Sequence, residues 1–218
     1  MKLFFLSGLP RSGSTLLTAL LYQNPAIHSE GVSGLCDLMW SAKQSLDRNS
    51  QWNGNRRQTA HVLATLPSIY YSDVTRPVII DKCRTWTLQA NVQMLQQFMQ
   101  PKIVCCVRDV DAVVDSFRRL FSANGRDDFE SSPFASELQI AQIGMQHAFD
   151  DWNDDTYLLV DYDDLINNTH RELQRVYAFL GLDQFEHDLH NITNQHAEDD
   201  SVYGLIGMHD VRSTISRH

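Results

Sequence analysis

Leu6-Ser7-Gly8-Leu9-Pro10-Arg11-Ser12-Gly13-Ser14-Thr15-Leu16-Leu17 is the stretch on which the reading of this chain turns. An apolar run, Leu3–Leu6, enters it, and a helical pattern, Ser14–Gln23, leaves it and stops at Asn24-Pro25. Gly8 and Gly13 are separated by four residues and followed by Ser14-Thr15. That is the G-x-x-x-x-G-K-[ST] spacing of a phosphate-binding loop, with serine in place of the lysine. Glycines let consecutive N–H groups turn inward, and with the helix amino end they make an anion nest. Ser12, Ser14 and Thr15 add hydroxyl donors, and Arg11 adds a charged fork. The missing lysine leaves the loop poorly equipped for a triphosphate with Mg²⁺, whose charge that lysine neutralises. A single phosphate bearing a sulfate carries less charge to neutralise and needs no metal.

Outward from the loop, strand-like and helical segments alternate, which predicts a parallel sheet with covering helices. The strands expected are Leu3–Leu6, Ala26–Ser29, Val78–Asp81, Ile103–Val107 and Thr156–Val160. They are apolar on successive residues, as strands buried on both faces are. Asp109–Phe121 and Thr169–Leu180 carry apolar residues at helical spacing. In the second, Thr169 and Glu172 predict a capping box and Gly181 a C′ residue. The fold class expected is therefore α/β, a P-loop NTPase-like α/β/α sandwich around a mostly parallel sheet of about five strands. One domain spans residues 1–218, with segments 31–76 and 122–151 outside the strand–helix rhythm. Trp40, Trp52, Arg56, Arg57, Tyr70 and Tyr71 lie in the first of these. Both segments are expected at strand carboxyl ends, where ligands sit in such sheets, and so around the site of a second, acceptor substrate should the loop hold a donor.

The bulk properties narrow the function. The chain has 218 residues, 43% hydrophobic and 21% charged, enough for a core. Its net charge of -9 argues against a nucleic-acid surface but leaves room for a phosphorylated ligand bound locally. The four cysteines form no C-x-x-C pair, which fits a reducing compartment. The apolar start is too short for a signal peptide, and no run approaches a membrane span. A soluble, cytoplasmic protein is expected. His187, His190 and His196 lack further ligands at metal spacing and are read as loop residues, so no metal is expected.

Pro10-Arg11-Ser12-Gly13-Ser14-Thr15-Leu16-Leu17 resembles the 5′-phosphosulfate loop of sulfotransferases that use 3′-phosphoadenosine-5′-phosphosulfate (PAPS), particularly the protein-tyrosine and carbohydrate branches. Arg108 after the fourth strand, with Ser116 eight residues on, resembles the family's 3′-phosphate element; Arg118 or Arg119 could add charge. Val160-Asp161-Tyr162-Asp163-Asp164-Leu165 resembles a further family segment, and the likeness runs to about residue 181. Arg212 resembles a basic group that closes over the nucleotide. The resemblance implies that PAPS enters, its bisphosphate PAP leaves, and a hydroxyl or amine acceptor takes the sulfuryl group.

Such a transfer needs in-line attack, a base, and a stabilised leaving phosphate. Lys82, after Val-Ile-Ile-Asp at a strand end, is expected at the leaving group, with Arg84 as a second cation. Glu30 shortly after Pro25 resembles the family's base, and His28, on the same strand face, is the other candidate. Two other readings stay open. One is a P-loop phosphotransferase, which predicts a Walker lysine this chain lacks. The other is a nucleotide-binding protein without catalysis, which has no use for Lys82 and Glu30.

Overall fold

The computed structural model describes residues 1–48, 56–195 and 198–215; Trp52 and His196 lie outside the described residues. Five strands form one sheet: β1 (Lys2–Gly8), β2 (Ile27–Val32), β3 (Val78–Lys82), β4 (Ile103–Val107) and β5 (Tyr157–Asp161). Their order is β2-β3-β1-β4-β5 and every neighbouring pair is parallel. Each strand falls within a few residues of its expected place, and β2 runs three residues further than Ser29.

Alternation along the strands sends side chains to two cores. Phe5, Ile79, Ile103 and Cys105 point into one, beneath α2 (Leu35–Arg48), α3 (Arg56–Tyr70), α4 (Gln89–Leu95), α5 (Val110–Ala123) and α6 (Pro133–Asp150). Leu6, Ile80, Val104 and Cys106 point into the other, beneath α1 (Ser14–Tyr22), α7 (Tyr162–Asn167) and α8 (Thr169–Leu180). Successive strand residues facing opposite cores explain why the strands lack a polar side. The result is a three-layer α/β/α arrangement.

The helix ends differ in how well sequence foretells them. Asp109 caps α5, accepting the Ala112 N–H at 2.9 Å. Gly181 ends α8 in the left-handed region at φ 65°. The expected Thr169–Glu172 box does not form. The Thr169 hydroxyl donates to Leu165 O at 2.7 Å, back into α7, and Glu172 is fully buried against Arg171 and Arg175. Because α7 ends one residue before α8 begins, the preceding turn supplies the threonine's acceptor, and the free amides of α8 lose that cap. Segment 31–76 does leave the end of β2, as α2 and α3. Segment 122–151, by contrast, follows the carboxyl end of α5 and returns as α6 against the turn Arg84–Thr87.

Candidate functional site

The loop after β1 is held from two sides. Gly13 takes φ 88° as the N-cap of α1, with Tyr162 and Leu165 packed so closely that a Cβ would come within 2.9 Å of the Tyr162 ring. Leu9 N–H donates to Cys106 O at 3.0 Å, fixing the loop to β4. Ser12 is fully buried, and its hydroxyl donates to Leu9 O at 2.5 Å and Cys106 O at 3.0 Å. The expectation of a ligand-facing Ser12 hydroxyl is therefore corrected: that group braces the loop from inside. Arg11 sits at φ 58°, a conformation that non-glycine residues adopt only where surroundings enforce it.

A cavity of about 420 Å³ opens over the loop. From the loop it takes Pro10, Arg11, Gly13, Ser14, Thr15 and Leu16. From β3 and the turn after it come Lys82 and Arg84, and from the β4–α5 unit Arg108, Ser116 and Arg119. Arg212 closes the far side with Met208, His209 and Ile215. Residues separated by some two hundred positions thus meet around one space. Between the two neighbouring arginines the geometry decides: Arg119 lines the cavity, whereas Arg118 is turned to Asp115 and Glu130 on the surface.

The cations are individually placed. Arg11 Nε donates to Ser116 Oγ at 3.2 Å, and its Nη1 bonds Met208 O. Burial pulls the Arg11 pKa below the ordinary arginine value, with Tyr162 acting the other way. Arg108 lies 4.0 Å over the Tyr162 ring, a cation–π contact, and donates to Arg11 O at 3.1 Å. Arg84 pairs with Glu137 of α6. Lys82 is buried and donates to Thr15 Oγ1 at 3.2 Å; burial pulls its pKa down to about 8. Lys82 and the loop thus share a hydrogen bond across the β1–β3 pairing.

Glu30 and His28 do share a face, with His28 Nε2 2.9 Å from Glu30 Oε1. His28 is buried beside the rings of Tyr22 and Tyr71, and Glu30 is half-exposed. Neither lines the cavity described above. Behind Lys82, Asp81 is almost fully buried. It accepts from Ser33 Oγ at 2.5 Å, Tyr71 Oη at 2.5 Å and Trp86 Nε1 at 2.7 Å. Burial raises its pKa, and these three bonds oppose the rise.

Sequence reasoning missed His209 and its partners. His209 Nδ1 stands 2.5 Å from Asp200 Oδ1 and Nε2 stands 3.2 Å from Glu198 Oε2. No local pattern marks them, because Glu198, Asp200 and His209 meet through an irregular segment with a single short 3₁₀ turn, Asp200–Tyr203. Among the described residues no group of three or more His, Cys, Asp or Glu gathers as a metal site. His187 is buried with Nε2 3.1 Å from Tyr177 Oη. No described helix is long and apolar enough to cross a membrane.

A family model described as "Sulfotransferase family" matches residues 4–187. Among solved structures, the chain is similar to the sulfotransferase domain of the olefin synthase of Synechococcus PCC 7002. That likeness has 22% identity and a TM-score of 0.60, covering 97% of this chain and 88% of that one. It is also similar to a sulfotransferase domain from the curacin biosynthetic pathway, at 19% identity and a TM-score of 0.53, covering 85% of this chain and 75% of that one. A sulfotransferase from Mycobacterium avium matches at 14% identity and a TM-score of 0.53, covering 84% and 64% of the two chains. At these identities the structural likenesses speak to the fold. Among curated proteins none matches the chain at a significant level.

Proposed function

The chain belongs to the sulfotransferase family, and we propose that it transfers a sulfuryl group from PAPS to a hydroxyl or amine acceptor, releasing PAP. The observation that supports the donor assignment is the meeting of two groups of donors and cations in one cavity. One is the loop of Pro10, Arg11, Gly13, Ser14, Thr15 and Leu16; the other is Arg108 with Ser116 and Arg119. A nucleotide phosphorylated at both 5′ and 3′ positions needs two such sites, and a triphosphate in line does not.

In this reading the loop amides, Ser14 and Thr15 hold the 5′-phosphosulfate. Arg108 and Ser116 hold the 3′-phosphate, and Tyr162 keeps the Arg108 guanidinium oriented. Arg11 ties the two sites together through Ser116. Arg212 closes the nucleotide side. Lys82, presented by β3 and steadied by Thr15, stabilises the negative charge that develops on the leaving phosphate. Arg84 adds charge from the cavity edge. Glu30 takes the acceptor proton, with His28, 2.9 Å from it, as the alternative base. The acceptor side is shaped by segments 31–76 and 122–151 within one domain of residues 1–218. The chain works without metal and in solution in the cytoplasm.

The test is calorimetry with PAP and with ATP–Mg²⁺, on wild type and Arg108→Ala. Micromolar, metal-independent PAP binding that falls by about 100-fold in the variant is the expected result. Tight ATP–Mg²⁺ binding with no preference for the 3′-phosphate would replace the sulfuryl donor with a phosphoryl donor.

A further inference from the structure

Residues 198–215 bring a carboxylate to the carboxyl end of β2. The segment is seated on the phosphate loop, since Arg11 bonds Met208 O. It is stitched to the preceding loop by Ile192 N–H to Ser213 O at 2.9 Å and Ile215 N–H to Leu189 O at 2.9 Å. Within it, His209 is clamped at four points. Its two ring nitrogens meet Asp200 and Glu198, its N–H donates to Asp200 Oδ2 at 3.1 Å, and its carbonyl accepts from Asn194 Nδ2 at 3.2 Å. Glu198, so oriented, accepts the Val32 N–H at 3.0 Å with its other oxygen, Oε1.

Val32 is the register partner of Lys82 across the β2–β3 ladder, and Ser33 N–H donates to Lys82 O at 3.0 Å. Neighbouring strands lie about 4.8 Å apart. The Glu198 carboxylate is therefore fixed against the backbone of Gly31 and Val32, on the strand that flanks Lys82. The groups that act on Lys82 come from four places. Thr15 of α1 accepts its hydrogen bond, and Arg84 of the following turn repels its charge. Cys106 of β4 is a thiol pushed up to about 12 by burial. Glu198 of the C-terminal segment is the one carboxylate among these four groups. Burial and Arg84 pull the Lys82 pKa down, and Glu198 holds it up.

We propose that Glu198 is a positioning residue, carried in by the C-terminal segment and clamped by His209 and Asp200, that keeps Lys82 in its cationic form. The transfer centre is then complete only while this segment is seated on the phosphate loop. The functional consequence rests on the assignment of Lys82 to the leaving group; the electrostatic link between Glu198 and Lys82 does not.

The chain has only four lysines, Lys2, Lys43, Lys82 and Lys102, so Lys82 can be followed directly. Protein labelled with ¹³C at lysine Cε is titrated by NMR, with Lys82→Arg assigning the signal. Glu198→Gln removes the charge and keeps an oxygen for the Val32 N–H. The Lys82 midpoint is expected near 8 in wild type and lower by about one pH unit in Glu198→Gln. Asp200→Asn, which loosens the clamp, is expected to fall between them. Equal midpoints in wild type and Glu198→Gln, or a wild-type midpoint as high as that of the other lysines, overturn the proposal. If Glu198→Gln lacks a cooperative thermal transition, Asp200→Asn decides by the same criterion. PAP calorimetry on the same samples separates the two readings. Loss of the nucleotide assignment appears as absent PAP binding, and loss of the Glu198 assignment appears as an unmoved lysine.

Discussion

The loop after β1 and the wall behind Lys82 are both dense with hydrogen bonds, but they are drawn from different distances along the chain. The loop's turn is set by bonds within a dozen residues, Ser12 to Leu9 O and Leu17 N–H to Gly13 O, and its outside supports, Cys106 O, Arg108 and Tyr162, close around a conformation already written locally. The wall gathers Ser33 from the β2–α2 connection, Tyr71 from the end of α3 and Trp86 from the turn after β3 onto one buried carboxylate, Asp81. The first kind of construction leaves a contiguous signature in sequence, and the second leaves single residues whose meeting only the fold reveals. The wall, with three donors on one carboxylate, loses several contacts at once when that centre is altered.

Four substitutions test this contrast. The largest effect is expected for Lys82→Ala, which sits where the two constructions touch. Release of PAP from PAPS, followed across a panel of alcohols, phenols and water, should slow by about 10³-fold. A change under threefold would take Lys82 out of the transfer step. Arg108→Lys tests the loop side. It keeps the charge but gives up the planar fork and the stacking on Tyr162, so the PAP dissociation constant should rise about tenfold. An unchanged constant would mean that Arg108 acts as a point charge only.

Asp81→Asn tests the wall. It exchanges one acceptor oxygen for a donor facing Ser33, Tyr71 or Trp86, at a cost of about 2 kcal/mol. The melting temperature should fall by about 4–8 °C, while PAP binding stays within twofold of wild type. Equal loss of both would show that the loop depends on the wall after all.

The smallest effect concerns His187, on the face opposite the wall. Burial pushes its pKa down to about 4 from the ordinary 6.5. As pH falls from 6.5 toward 4 the unfolded chain takes up a proton there and the folded one does not, so folding stability drops across that window. His187→Phe should flatten that part of the denaturation profile, measured by urea titration at each pH. An unaltered slope would assign acid sensitivity elsewhere.

What could be read in the sequence follows the same division. The strands, the loop, Arg108 with Ser116, and the carboxyl end of α8 are each written within a dozen residues, where glycine spacing, β-branched runs and helical periodicity act locally. Ser12 shows the limit even there. Its place in the motif was legible, but the inward turn of its hydroxyl depends on Cys106 O, 94 residues away. The Thr169–Glu172 pattern fitted a local rule and lost to a tertiary one, because α7 ends immediately before it. His209, Glu198 and Asp200 carried no readable sign, since their approach to Lys82 runs through the β2–β3 register.

The order of the strands has a consequence for how this protein is made. β1 occupies the centre of the sheet, but both of its partners, β3 and β4, are translated long after it. At about 5–20 residues per second, some ~5–20 s separate the emergence of Phe5 from that of Ile103. Until Val78–Lys82 emerges, partway through that interval, the apolar run of β1 has neither of its strand partners. A ribosome-associated chaperone that covers Leu3–Leu6 should therefore raise the yield of folded protein more than one that acts after release.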